Sequence, residues 1–118
     1  IQRLAFYDEL TGLPNRRLLM DRLEHALAGS AGEPDHGALL FLDLDNFKGI
    51  NDTLGHEWGD QLLVQVGRRI TASVRSGDTV ARLGGDEFVV VMHGLHAEEA
   101  EAAADAQAIA QKLLAALN

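Results

Sequence analysis

The chain has 118 residues, a length that suits one domain with its own hydrophobic core. Its formal net charge of −8 disfavours nucleic-acid binding, because that binding depends on basic contacts with phosphate. It has no cysteine, which excludes disulfides and thiolate metal sites. No apolar run is long enough to span a membrane, and the N-terminus does not resemble a signal peptide.

Helical and strand patterns alternate along the chain, with glycine and proline between them. Residues 1–7 look like the end of a helix that enters from upstream, and a turn-rich segment follows. The pattern then predicts, in chain order, a helix over 15–28, a buried strand over 38–44, a turn or short helix over 46–54, a helix over 59–74, a hairpin over 79–83 and 88–92, and a last helix over 97–117. We therefore expect one α/β domain whose small sheet has exposed edges.

Two acids stand at the end of the predicted buried strand, in the run FLDLDNF. Asp43 and Asp45 are two residues apart, so on a strand they point to the same side. Such acids can simply mark where a strand leaves the core. Their position beside the hairpin sequence described next makes a functional interpretation stronger.

The hairpin sequence ARLGGDEFVVV combines a glycine turn, two acids and an apolar strand. Gly84 and Gly85 predict a tight turn. The apolar run after the acids predicts a central strand, which places the turn at the edge of a packed sheet. If the strand ending in Asp43 lies beside this hairpin, Asp43, Asp86 and Glu87 can converge. Close carboxylates repel unless a cation lies between them, and oxygen ligands favour Mg²⁺ or Mn²⁺.

Nearby polar residues suit a phosphorylated ligand. Lys48 and Arg82 could each reach a phosphate, although either could also be a solvated surface charge. Asn51 and Asp60 could read the hydrogen-bonding edge of a base. Their alternative interpretations are a turn for Asn51 and a helix cap or first-turn acid for Asp60. The lone Trp58 is interpreted as a packing residue.

Five stretches occur in the order and spacing of one known family: DELTGLPNRR at 8–17, DLDNFKGIND at 43–52, GHEWGD at 55–60, RSGD at 75–78 and GGDEF at 84–88. On these motifs the chain resembles the GGDEF domain family, the diguanylate cyclases, over nearly its whole length. The resemblance implies a palm-like nucleotide-cyclase fold, with a mixed, mainly antiparallel sheet flanked by helices. It also implies condensation of two GTP into cyclic di-GMP with release of two pyrophosphates, by two facing subunits that each hold one GTP.

The resemblance also implies roles for single residues. Asp43, the carbonyl of Leu44, Asp86 and Glu87 would bind Mg²⁺ or Mn²⁺, and either Asp86 or Glu87 would be the general base. Asn51 and Asp60 would hold guanine, while Lys48 and Arg82 would contact phosphates, and Lys48 would have a catalytic role by stabilising charge in the transition state. Arg75 and Asp78 would form an inhibitory site for the product, cyclic di-GMP.

The resemblance leaves two further expectations. The family has another strand and a phosphate-binding helix after the position of Asn118, so we expect residues 1–118 to be a single GGDEF domain without that last strand and helix. The alternative function is an inactive module that binds GTP or cyclic di-GMP and regulates a neighbouring domain. We expect a cytoplasmic domain, without direct membrane contact of its own, that could be tethered to a membrane sensor upstream.

Overall fold

The computed structural model describes residues 3–29, 36–44, 47–95 and 99–117. These ranges contain five helices and three strands, in the order α1 (Arg3–Phe6), α2 (Arg16–Gly29), β1 (His36–Asp43), α3 (Phe47–Leu54), α4 (His56–Ser73), β2 (Thr79–Gly84), β3 (Glu87–Leu95) and α5 (Glu99–Leu117). The predicted α/β class is confirmed. No helix within these ranges combines the length and the apolar character needed to cross a membrane.

The three strands form one antiparallel sheet in the order β1–β3–β2. The prediction that the strand after the glycines is central is confirmed, since Phe88, Val89 and Val90 are each at most 1% exposed. Successive residues of a strand point to opposite faces of the sheet. Strand β3 therefore contributes alternate side chains to two different layers.

One face of the sheet packs against α4 and α5 and forms the larger core. Its margin includes Leu40 and Leu42 of β1 and Ala106 and Ile109 of α5. Full burial of a large apolar side chain contributes roughly 1.5–3 kcal/mol to stability, so this core makes a large contribution to the stability of the domain. The predicted apolar stripe of α4 is confirmed at its centre, and the core consists of Leu63, Val66, Ile70, Val80, Phe88, Val90 and Met92.

The other face of the sheet is covered only in part. Leu19 of α2 packs with Ala81, Val89 and Val91, and Leu23 packs against this cluster. Helix α2 contacts β2, and in the described part of the chain it makes no comparable contact with the edge strand β1 on this side. Phe41 of β1 is 72% exposed as a result.

Three predictions about the second long helix were wrong. Helix α4 begins at His56, three residues before the predicted start, and its N-cap is Gly55, whose φ of 95° suits glycine. Asp60 is therefore neither a cap nor a first-turn acid. Trp58 was interpreted as a packing residue but is 62% exposed. Asp45 and Ala97, which the sequence placed near a site and at a helix start, lie outside the described residues.

Candidate functional site

Two acids of the predicted metal site lie directly opposite each other on neighbouring strands. Asp43 is the last residue of β1, Glu87 is the first residue of β3, and the two are paired in the register. Both side chains are exposed. Opposed residues of an antiparallel pair lie on one face with Cβ atoms about 4.5–5.5 Å apart, and like charges there are destabilising. The fold thus places two carboxylates where a cation between them would be favourable.

The tip of the hairpin between β2 and β3 contains only Gly85 and Asp86. Gly84 and Glu87 are the last paired residues, and Gly85 has a φ of 50°. A side chain is strained in this left-handed conformation, which explains why glycine occupies the position. Asp86 is half-buried next to the opposed pair in sequence. The predicted turn is confirmed.

Full convergence of the three acids is not observed. Among the residues that the structure describes, no three His, Cys, Asp or Glu side chains are grouped closely enough to form a metal cage. The sheet register therefore accounts for two of the three predicted carboxylate ligands. Leu44, whose carbonyl is the fourth predicted ligand, follows β1 directly and packs against the larger core.

Arg82 contacts two parts of the protein through its guanidinium group. Its Nη1 donates to Oδ1 of Asp8 at 2.8 Å, and its Nε and Nη2 donate to the carbonyl of Gly85 at 3.0 and 2.9 Å. Its backbone N–H also donates to the carbonyl of Pro14. Three of its five N–H groups are thus used within the protein. A phosphate contact by Arg82 stays a prediction.

Asp8 is held in its ionised form. Partial burial favours the neutral acid, but hydrogen bonds from the backbone and hydroxyl of Thr11, together with the charge of Arg82, outweigh it and lower the pKa of Asp8. A carboxylate with these partners is a stable anchor for the hairpin.

The predicted guanine-binding residues lie on adjacent helices. Asn51 is on α3 and Asp60 is on α4, and the two helices pack against each other. Asp60 is exposed and borders an open depression that Leu10 and Val64 also line. Lys48 is exposed one turn before Asn51 on α3. The structure therefore brings both predicted base-binding side chains and one of the two predicted phosphate contacts, Lys48, to one pair of helices, whereas Arg82 lies on β2.

The side chain of Asn51 contains an unpartnered buried atom. Its Oδ1 is buried and has no hydrogen-bond partner among the described residues. An unsatisfied buried acceptor costs about 1–3 kcal/mol, so such atoms call for an explanation. A ligand with an N–H donor would satisfy it once the amide turned away from Gly59, against which the oxygen lies.

Arg75 and Asp78, predicted to bind the product, are paired with each other. The guanidinium of Arg75 donates from Nη2 to Oδ1 of Asp78 at 2.8 Å and from Nε to Oδ2 at 3.1 Å. The backbone N–H of Arg75 also donates to Oδ2. The Asp78 side chain is 1% exposed, whereas that of Arg75 is 46% exposed. The pair closes the RSGD turn between α4 and β2 and presents part of the arginine to solvent.

Three residues that organise this region were not predicted from the sequence. Asp8 was assigned no role, although Thr11 three positions later is a signal for a side-chain-stabilised turn. Asn15 caps α2 by accepting from the N–H of Leu18, and it donates to the carbonyl of Ala5. Gly59 was read only as part of a motif, and nothing local to it indicates that it packs against Asn51.

Comparison with known proteins gives consistent matches along the chain. The family profile described as diguanylate cyclase, GGDEF domain, matches residues 5–118. The bifunctional diguanylate cyclase/cyclic di-GMP phosphodiesterase MucR of Pseudomonas aeruginosa is 51% identical over 112 residues, which cover 95% of this chain and 16% of MucR. Diguanylate cyclase DgcP of Escherichia coli is 43% identical over 110 residues, covering 92% of this chain and 31% of DgcP. This chain thus spans less than a third of these relatives.

Solved structures agree in fold. The isolated GGDEF domain of TpbB from Pseudomonas aeruginosa is 44% identical, with a TM-score of 0.84 over 93% of this chain and 61% of that chain. The coiled coil and GGDEF domain of DgcB from Caulobacter crescentus, solved with cyclic di-GMP, is 31% identical, with a TM-score of 0.83 over 95% of this chain and 56% of that chain. Profile, sequence identity and fold coincide over nearly all of the chain, which belongs to the diguanylate cyclase GGDEF domain family.

Proposed function

We propose that this chain is the catalytic domain of a diguanylate cyclase, which condenses two GTP into cyclic di-GMP and releases two pyrophosphates. The observation that carries the proposal is the opposed pair of Asp43 and Glu87 beside the Gly85-Asp86 tip. Two like charges opposite each other on neighbouring strands do not help the sheet to fold. They suit a site that binds a divalent cation, which in turn neutralises the negative charge of a nucleoside triphosphate.

The residues present fit a divalent metal. Asp43 and Glu87 are oxygen donors on one face of the sheet, and Asp86 and the carbonyl of Leu44 adjoin them in sequence. Hard oxygen ligands favour Mg²⁺ or Mn²⁺. When bound, the metal supplies positive charge to the phosphates, which this acidic chain lacks.

The remaining site residues bind and orient GTP. Lys48 is exposed on α3 and can contact a phosphate. Asn51 and Asp60 present acceptors for the N–H groups on the edge of guanine, and the unpartnered Oδ1 of Asn51 supports this role. Arg82 retains unused N–H groups for a phosphate, although its observed contacts make it first a support for the hairpin tip.

The chemistry needs two copies of the domain, each holding one GTP. The 3′-oxygen of one GTP forms a bond to the α-phosphorus of the other, the bond to the β-phosphate breaks, and pyrophosphate leaves. The proton of the hydroxyl passes to Asp86 or Glu87. Repetition with the roles exchanged closes the ring. Because phosphoryl transfer depends mainly on positioning and charge neutralisation, the fixed geometry of the hairpin is central to it.

We also propose product inhibition through the RSGD turn. The exposed part of Arg75 can donate to a phosphate or guanine of cyclic di-GMP, while the buried Asp78 holds the arginine in place. The complex of DgcB with cyclic di-GMP supports a product-binding role in the family. We place the domain in the cytoplasm, where GTP is available.

The test is to incubate the full-length protein with GTP and Mg²⁺ or Mn²⁺ and to measure cyclic di-GMP and pyrophosphate. Asp86→Asn should abolish both products, because it removes a carboxylate at the hairpin tip. The matched control is Glu24→Gln, an exposed acid on α2, which should leave both rates unchanged. GTP binding without turnover by the unmodified protein would instead identify a regulatory binding module and overturn the catalytic proposal.

A further inference from the structure

We infer that Gly59 is a positioning residue for guanine recognition: its lack of a side chain provides the space that the Asn51 amide occupies. This inference rests on the proposed function, since it assigns Gly59 to the base-binding part of the same site. Gly59 does not itself contact the nucleotide in this scheme. It acts through Asn51, on the neighbouring helix α3.

The packing of α3 on α4 supports the inference. Gly59 is buried, and a methyl group placed on its Cα would overlap Oδ1 of Asn51 and lie 2.8 Å from Cγ. Real Cβ atoms essentially never come within 3.0 Å of another atom in this way. The amide therefore lies against the bare backbone of α4, and any larger residue at position 59 must displace it.

Folding alone does not explain a glycine at this position. Gly59 lies within α4 and its φ is not in the left-handed region, so an L-residue could adopt its backbone conformation. Within a helix, glycine is less favourable than alanine by about 1 kcal/mol. The sequence has the less stable residue at a buried position where, in the described part of the chain, the three atoms nearest to an added methyl group all belong to the Asn51 amide.

The displaced group would be the amide and not the helix backbone. The overlapping atoms are the end of a side chain that can rotate, whereas both helices are anchored by the core residues of α4. Oδ1 of Asn51 is a buried acceptor without a partner in the described part of the chain. A rotation of this side chain, for which Gly59 leaves room, would present the acceptor to a donor on the base, such as the 2-amino group of guanine.

The experiment is Gly59→Ala in the full-length protein, assayed with GTP and with inosine triphosphate, which lacks the 2-amino group. We expect kcat/KM for GTP to fall about tenfold, the equivalent of one lost hydrogen bond, and that for inosine triphosphate to change much less. The preference for GTP should therefore shrink. The melting temperature should stay the same or rise, because alanine favours the helix.

Two controls separate positioning from a general structural effect. Gly67→Ala changes a second buried glycine of α4, whose added methyl would meet only apolar side chains, with Cδ1 of Leu13 at 3.1 Å. It should leave the nucleotide preference unchanged. In an Asn51→Ala background, Gly59→Ala should have no further effect on the preference, because the amide is already absent.

Three results would overturn the inference. The first is an undiminished preference for GTP over inosine triphosphate in Gly59→Ala, and the second is unfolding of Gly59→Ala. The third is a loss of this preference on Gly59→Ala that is as large in the Asn51→Ala background as in the unmodified protein. Failure of the proposed function is detected separately, as absence of turnover of GTP by the unmodified protein. The side-chain amide resonance of Asn51, recorded by NMR in the absence of nucleotide, tests the inference independently of activity. It should shift in Gly59→Ala but not in Gly67→Ala, and an unchanged resonance contradicts the inference.

Discussion

Arg82 and Asp8 are 74 positions apart in the sequence, yet Nη1 of Arg82 donates a 2.8 Å hydrogen bond to Oδ1 of Asp8. The pair is largely buried, with side chains 14% and 18% exposed. The same guanidinium donates to the carbonyl of Gly85, at the tip of the hairpin. Through Arg82, the turn before α2 therefore fixes the position of the two-residue tip that contains Asp86.

We predict that Asp8→Asn destabilises the domain at neutral pH by about 1.5–3 kcal/mol, the range for hydrogen bonds to charged groups. The folded state lowers the pKa of Asp8, so its contribution is present at pH values above the ordinary pKa and is lost as the pH falls through the folded value. The stability difference from the unmodified protein should therefore shrink below about pH 4. Urea unfolding at pH 7 and at pH 3 measures it.

The control for Asp8→Asn is Asp21→Asn. Asp21 is 54% exposed and lies 3.7 Å from His25 on the surface of α2, where ion pairs contribute little. It should change the unfolding free energy by less than about 1 kcal/mol. If Asp8→Asn lowered the unfolding free energy as much at pH 3 as at pH 7, the size or shape of the Asp8 side chain, and not its charge, would anchor Arg82.

Substitutions of Asn15 should separate two roles of its side chain. Its Oδ1 caps α2, whereas its Nδ2 donates to the carbonyl of Ala5 in α1. Asn15→Ala loses both contacts, and we expect a loss of stability of about 0.5–2 kcal/mol. Asn15→Asp keeps the cap acceptor but loses the donor to α1. Hydrogen exchange should then show faster exchange in α1 for both variants and in the first turn of α2 only for Asn15→Ala.

We expect repulsion between the carboxylates of Asp43 and Glu87 to lower the stability of the metal-free domain. We predict that Asp43→Asn or Glu87→Gln raises stability by roughly 0.2–1 kcal/mol in chelator at low salt, because each removes a like-charge contact across the strands. The same variants should lose the stabilisation that Mg²⁺ gives the unmodified protein. Thermal unfolding with and without Mg²⁺ measures both effects.

High salt and a remote acid provide the controls for this prediction. Salt at 1 M screens exposed charges, so the gain in stability should disappear there. Glu24→Gln removes an exposed acid on α2 and should change neither the metal-free stability nor the response to Mg²⁺. Unaltered Mg²⁺ stabilisation in both site variants would show that these carboxylates are not the ligands.

Arg75→Ala should affect both inhibition and stability. We predict weaker inhibition by added cyclic di-GMP, together with a loss of about 1.5–3 kcal/mol, because Asp78 is 1% exposed and loses its charged partner. Inhibition curves should be recorded well below the melting temperature of the variant. Arg68→Ala, an exposed arginine on α4, is the control for removing a positive charge. Inhibition that persists unchanged in Arg75→Ala would place the product elsewhere.

The hairpin and the family could be predicted because their signals are local. Two glycines before an apolar run predict a turn and a buried strand wherever they occur, and β3 is the central strand of the sheet. The helix stripe of Leu63, Val66 and Ile70 follows from periodicity alone. The five motifs are short stretches at fixed spacing, so they identify the family without any knowledge of contacts.

The errors arose where a residue's role depends on a distant neighbour. The helix was expected to begin at Gly59, three residues after its actual start at His56, and the sequence does not show that Asn51 packs against this glycine. Trp58 is apolar and aromatic and was interpreted as a packing residue, but it is 62% exposed. No local pattern contains this information.

The sequence by itself determined the α/β class, the central strand, the glycine turn and the set of candidate site residues, since propensity and spacing act over a few positions. Only the tertiary structure decided how those residues are paired. The sheet register sets Asp43 against Glu87, and chain folding brings Asp8 to Arg82. Such pairings depend on the packing of elements far apart in the chain, because hydrogen bonds and like-charge contacts act only over a few ångströms.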